Sequence, residues 1–285
     1  MCQLFGLSSS SPSAVTFSFT GLSARGGRTG THADGFGLAF HDGADCRVFI
    51  DEGRASDAPL AGFLRAFPIR ARTVLAHVRR ATQGPVQLAN CHPFVREWGG
   101  RYWSFCHNGD LVDFAPRLRG VFLPVGSTDS ERAFCWLLQE LRRRFRRPPA
   151  GGWRDLAPAI AELAGRIGTH GAFNFLLSDG DALYVHCGSQ LAWVRRAHPF
   201  ATAQLVDEDL TLDLGAANGP GDHMVLVATE PLTRNEGWST LSRGELRVFV
   251  RGKEVWRGQG DAPDARKPPR RHATTAGSDT PAHGA

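Results

Sequence analysis

Cys2 is an unusual residue to find at a chain end. Termini fray into solvent, whereas a free cysteine is among the most buried residue types. The position makes chemical sense once Met1 is trimmed, as is usual ahead of a small residue. Thiol and α-amine then share one residue. The amine has a pKa of about 8 and the thiol of about 8.5, so the amine can serve as base for its own thiol, directly or through a water. Three further segments offer what such a nucleophile needs. "AHVRRAT" (76–82) puts Arg79 and Arg80 at a strand end, and an arginine fork grips a carboxylate with two parallel bonds. "HNGD" (107–110) sets the Asn108 amide beside Gly109, a pair able to aim two N–H donors at one oxygen. "GSTDSE" (126–131) places Asp129 at a helix start, where a carboxylate can bind an ammonium group. Together they would hold an amino acid by its head group while the thiol attacks its far end. Each also has an ordinary structural use: inert core filler for Cys2, a tight turn for Asn-Gly, a helix cap for "STDSE", surface charge for the arginines.

The elements that must position these residues can be read from pattern. Short apolar or aromatic runs bounded by Gly, Asp or Asn read as strands: 2–7, 35–40, 46–50, 73–79 and 102–107, then 172–178, 182–187, 190–196, 224–230 and 245–255. Helical spacing of apolar residues predicts helices over about 130–144 and 154–167, and "PLAGFLRAF" (59–67) a short one. Ser127, Thr128 or Asp129 would cap the first of these. Strands, two helices, then strands again predict layered α+β packing. Residues 261–285 are rich in Pro, Ala, Thr, Gly and Arg and poor in large apolar residues, which predicts a disordered basic tail after a single domain spanning 2–256.

Composition bounds the alternatives. The 285 residues are 42% hydrophobic and 21% charged, ordinary for a globular protein. No run approaches the ~20 apolar residues of a membrane span, and no signal peptide opens the chain, so the expectation is a cytoplasmic protein with no membrane partner. Six cysteines are too sparse for a disulfide framework and none is spaced as CxxC. Net charge is +5 with a pI near 9.1. The excess lies largely in "LRRRFRR" (141–147) and "RKPPRR" (266–271), a helix end suited to basic residues and the tail. No motif with aromatic interleaving supports a nucleic-acid partner.

Cys2, "HVRRAT", "CHPF" (91–94), "HNGD" and "STDSE" occur in the order and spacing of class II glutamine amidotransferase domains, which this chain resembles from about residue 2 to 256. The segments 17–40, "RRATQG" and "VATEPLTRNEGW" (227–238) look like the free-standing YafJ-like subgroup. The resemblance implies an N-terminal-nucleophile hydrolase with a four-layer αββα sandwich and no metal or organic cofactor. It implies Cys2 as nucleophile, Asn108 and Gly109 as the oxyanion pair, Arg79 and Thr82 as contacts to the substrate carboxylate, and Asp129 as holder of the α-ammonium. His77 and His92 fall in the same motifs and are assigned structural hydrogen bonds. Many relatives carry a bulky aromatic where Arg80 stands, and some a His at Gln83.

The implied reaction is cleavage of the γ-glutamyl amide of glutamine, or of a γ-glutamyl conjugate, through a thioester on Cys2. No acceptor domain follows residue 256, so the expectation is a stand-alone hydrolase or a glutaminase subunit feeding ammonia to a separate synthase. "SARGGRTGTHADG" (23–35) offers Arg25 and Arg28 to an acidic leaving group, and reads equally as an irregular surface loop. Two other classes draw on some of the same residues. A metal site would have to use Cys91-His92 and Cys106-His107, yet zinc ligands favour CxxC or HxxxH spacing and adjacent strand residues face opposite ways. A non-catalytic γ-glutamyl-binding adaptor would keep Met1, which blocks the amine. The mature protein is therefore expected to begin at Cys2. Intact mass of the active protein checks this, and a retained Met1 would rule out the amine as base.

Overall fold

The computed structural model describes residues 2–259; the tail expected at 261–285 lies outside them. In chain order the elements are β1 (Gln3–Ala14), α1 (Thr16–Ala24), β2 (Phe36–Asp42), β3 (Asp45–Asp51), α2 (Pro59–Ala66), β4 (Arg70–Val78), β5 (Phe94–Glu97) and β6 (Tyr102–Asn108). Two long helices follow, α3 (Asp129–Phe145) and α4 (Trp153–Gly168). Then come β7 (Asn174–Ser178), β8 (Leu183–His186), β9 (Ala192–Ala197), β10 (Thr202–Gln204), β11 (Thr211–Asp213), α5 (Leu214–Ala217), β12 (His223–Ala228), β13 (Ser239–Thr240), β14 (Glu245–Val250) and β15 (Lys253–Gln259).

Alternation along the strands sorts their side chains into layers. In the seven-stranded sheet, ordered β13-β9-β12-β1-β4-β2-β3, Phe5, Phe36, Val74 and Leu226 face α1 and α2, where Phe19, Leu22, Ala61 and Leu64 meet them. Their neighbours Leu4, Leu75 and Val225 face the other way. In the six-stranded sheet, ordered β15-β14-β8-β7-β6-β5, Leu176, Val185 and Phe249 meet that inner set, while Phe105, Phe175 and Val248 pack under α3 and α4. Three apolar clusters separate four layers, helix–sheet–sheet–helix, as expected for this class of fold.

Several elements differ from their sequence expectation for identifiable reasons. α1 has apolar and small residues around its whole circumference and is buried nearly everywhere, so it shows no amphipathic period. The stretch read as one strand at 245–255 is a hairpin. Arg251 and Gly252 have φ of 47° and 73°, the two positive values a tight two-residue turn requires. β1 continues far beyond residue 7 because its serine run finds polar partners, Ser11 donating to Asp222 at 2.6 Å and Ser9 bonding Ser13 at 2.9 Å. Thr128 is the cap of α3, its hydroxyl accepting the Glu131 N–H at 3.2 Å; Asp129 is already the first helical residue.

Candidate active site

The site forms where three strand ends meet. β1 lies between β12 and β4 and is antiparallel to both, and its register with β4 starts at Gln3↔Val78. The residue before β1 therefore faces the residues after β4. The Arg80 N–H donates to Cys2 Sγ at 3.3 Å, and the thiol lies 3.3 Å from the Arg80 carbonyl. Burial pushes the Cys2 thiol up from its ordinary value, and the Arg80 backbone bond and Arg79 charge pull the other way. From the second sheet, the end of β6 supplies Asn108, whose Nδ2 donates to the Cys2 carbonyl at 2.7 Å.

Cys2, Arg79, Thr82, Gly109 and Asp129 line one small cleft; Asn108, sixth of the expected site residues, abuts it through that bond to Cys2. Arg79 is buried and its fork donates only to carbonyls, those of Gln83 at 3.0 Å, Pro85 at 3.3 Å, and Asp34 and Gly84 at 3.4 Å. Among the described residues no carboxylate pairs with it. Asp129 is anchored through both oxygens, Oδ2 accepting the Leu111 N–H and Oδ1 the Ser130 N–H, each at 2.8 Å. Thr82 donates to Asp110 at 2.5 Å. Gly109 has φ 152°, and a Cβ there would fall 1.8 Å from the Ala172 carbonyl oxygen, so only glycine fits.

Arg25 and Arg28 do not stand free for an acidic leaving group. Arg25 is buried and pairs with Asp207 at 2.7 Å, donating also to Gln3 Oε1 at 3.0 Å and to the carbonyls of Glu230 and Pro231 at 3.1 and 2.6 Å. Arg28 pairs with Glu208. The Arg25 charge is matched inside the fold and the Arg28 charge at the surface.

His77 Nε2 lies 3.1 Å from the His107 carbonyl, and since a carbonyl only accepts, Nε2 carries the proton and donates it. Its ring packs against His92 with centroids 4.1 Å apart and the planes tilted by 46°. The structural bond expected for His77 is present; His92 has neither nitrogen paired within the described residues and lines the cleft. Three contributors were not singled out from sequence. Ser130 bonds His107 Nδ1 at 2.8 Å, Asn174 donates to the Asn108 carbonyl at 2.9 Å, and Thr229 accepts from Asn108 Nδ2 at 3.3 Å. The last two lie on strands or turns remote in sequence, and no local pattern marks them. Among the described residues no group of three His, Cys, Asp or Glu could hold a metal ion, and no helix is long and apolar enough to cross a membrane.

Two antiparallel sheets packed between helical layers, with a cysteine at the head of a central strand, give this chain an amidotransferase type of fold. Class II glutamine amidotransferases match residues 1–274, and the chain belongs to that family. It is 44% identical over 255 residues to the YafJ protein of Escherichia coli (strain K12), covering 90% of this chain and all of that one. A 2.0 Å crystal structure of a predicted glutamine amidotransferase from Pseudomonas aeruginosa PA01 superposes with a TM-score of 0.72 at 42% identity, over 90% of this chain and 100% of that one. Glutamine phosphoribosylpyrophosphate amidotransferase of B. subtilis shares the fold at 15% identity, with a TM-score of 0.57 over 91% of this chain and 49% of that one.

The buried imidazoles make stability depend on pH. Burial holds His77 down to about 3 and His41 and His186 down to about 4, against about 6.5 in an unfolded chain. Between these values the unfolded state binds more protons, so stability rises with pH. The contribution is complete above the unfolded value and is lost as pH falls through 6.5 towards the folded values, roughly 2 kcal/mol for each ring at pH 5. The urea midpoint should fall steeply from pH 7 to pH 5; an equal midpoint at both would show that these rings are not held neutral.

Proposed function

We propose that the chain hydrolyses the γ-glutamyl amide bond of glutamine or of a γ-glutamyl conjugate. One observation carries the reading. A cysteine thiol, a buried arginine without a carboxylate partner among the described residues and an anchored aspartate open onto one cleft. That is the arrangement needed to hold an α-carboxylate and an α-ammonium while a thiolate meets the side-chain carbonyl. Arg79 takes the carboxylate with Thr82 beside it, and Asp129 takes the ammonium. The Cys2 thiolate attacks the γ-carbonyl, forming the C–S bond as charge moves to the oxygen, which rests on Asn108 and the Gly109 N–H. Collapse breaks the C–N bond, with the Cys2 α-amine delivering the proton to the departing amine. Water adds to the thioester and glutamate leaves, regenerating the thiol. All six cysteines are free, in keeping with a reducing, cytoplasmic setting.

Cys2→Ser should fold normally and lose most turnover; near-normal rates would remove Cys2 as nucleophile. Arg79→Lys keeps the charge but not the planar fork, and should weaken substrate binding by about 2 kcal/mol. The donor panel is glutamine, asparagine, a γ-glutamyl dipeptide and a γ-glutamyl anilide. γ-Glutamyl donors should be cleaved well ahead of asparagine, whose shorter chain cannot reach Cys2 from a clamped head group. Comparable cleavage of asparagine would refute the clamp. Activity on glutamine alone, and only with added cell extract, would point to a separate ammonia-accepting subunit. Binding of γ-glutamyl ligands without turnover, with Met1 retained, would make the protein an adaptor.

A further inference from the structure

Thr229 has no part in the steps above, yet its bonds reach Asn108 and the strand end that begins beside Cys2. The β1–β12 ladder begins at Phe5↔Ala228, whereas the β1–β4 ladder begins two residues earlier at Gln3↔Val78. The first residues of β1, next to the nucleophile, therefore have a strand partner on one side only. Thr229, the residue after β12, closes the other side. Its N–H donates to the Leu4 carbonyl at 3.2 Å, and its hydroxyl oxygen accepts the Leu4 N–H at 2.9 Å. The same oxygen accepts Asn108 Nδ2 at 3.3 Å, and Asn108 comes from the opposite sheet. Thr229 is 2% exposed, so water does not compete for this junction.

The amide of Asn108 has two N–H groups. One is spent on the Cys2 carbonyl at 2.7 Å and the other rests on Thr229. The Asn108 Oδ1 has no partner among the described residues, so these two bonds alone set the amide plane. The main chain of Asn108 cannot adjust to compensate. Asn174 holds its carbonyl at 2.9 Å and is itself fixed by the N–H groups of Gly188 and Ser189 at 3.0 and 2.9 Å. The bond to Thr229 is the longer and weaker of the two, hence the one whose N–H can be shared with a developing oxyanion while the amide plane stays in place.

We infer that Thr229 is a positioning residue for the oxyanion donor: its hydroxyl parks the second Asn108 N–H in the orientation that receives charge at Cys2, and ties the nucleophile's strand end to the same point. The inference rests on the amidohydrolase reading above. A group that acts through the oxyanion donor affects the transition state more than bound substrate, whereas a strand-end cap affects stability and not the kcat/KM partition.

The test uses the full-length protein, a γ-glutamyl anilide and labelling by a diazo-ketone analogue of glutamine. Thr229→Val keeps the shape and removes the acceptor. It should lower kcat at least tenfold with KM within threefold, and slow labelling of Cys2 in parallel. Thr229→Ser restores the hydroxyl and should recover most of the rate. In an Asn108→Ala background, Thr229→Val should cost less than twofold more, because the group it orients is gone. Unchanged kcat in Thr229→Val, a loss confined to KM, or full additivity with Asn108→Ala would overturn the inference. Should Thr229→Val not fold, Thr229→Ala is read the same way. A wild-type protein that neither turns over γ-glutamyl donors nor labels at Cys2 would sink the amidohydrolase reading itself, a result separate from any behaviour of Thr229.

Discussion

The antiparallel pairing of β1 with β4 is the constraint on which the site depends. A residue as near a terminus as Cys2 would ordinarily fray. Here the chain end opens a strand in the middle of a seven-stranded sheet, so ordering Cys2 costs little beyond what the sheet already imposes. The register Gln3↔Val78 decides which residues Cys2 meets. A slip of one residue would turn every β1 side chain to the opposite face and would bring Leu4 out of the inter-sheet core where Leu75, Leu176 and Val225 surround it. Apolar packing thus locks the register, and the register sets the chemistry.

The second sheet matters because half of the site lies on it. Asn108, Gly109 and, through the Leu111 N–H, Asp129 approach Cys2 across the inter-sheet layer. Their separation from the thiol is set by the thickness of that layer, filled by Leu4, Leu176 and Phe249. Interiors this well packed resist small displacements, which is how an apolar core far from the cleft governs distances inside it. Electrostatics complete the arrangement. Arg79 enters the site with carbonyl partners only, and among the described residues no carboxylate pairs with it. Arg25 and Arg28, by contrast, are matched by Asp207 and Glu208 and serve to tie loops together. The same residue type is thereby placed in different electrostatic surroundings, according to whether a carboxylate lies within reach.

Much of this was legible in the residues themselves. Cys2, Arg79, Thr82, Gly109 and Asp129 each stand in a short segment that marks them, and the fold brings them around one cleft, with a glycine at φ 152° and an aspartate at a helix start. The αββα layering was legible too, since apolar alternation in strands and 3.6-residue spacing in α3 and α4 are local properties. Tertiary structure decided what no local pattern records. α1, buried on all sides, carries no periodic signal. Thr229 and Asn174 reach Asn108 only after strands more than sixty residues away are brought against it. The partners of Arg25 lie near residues 3, 207 and 230, so neither its neutralisation nor its role as a tie could be read from "SARGG". Side-chain chemistry is encoded residue by residue, but whether a charge is free or spent depends on which distant oxygen the fold delivers to it.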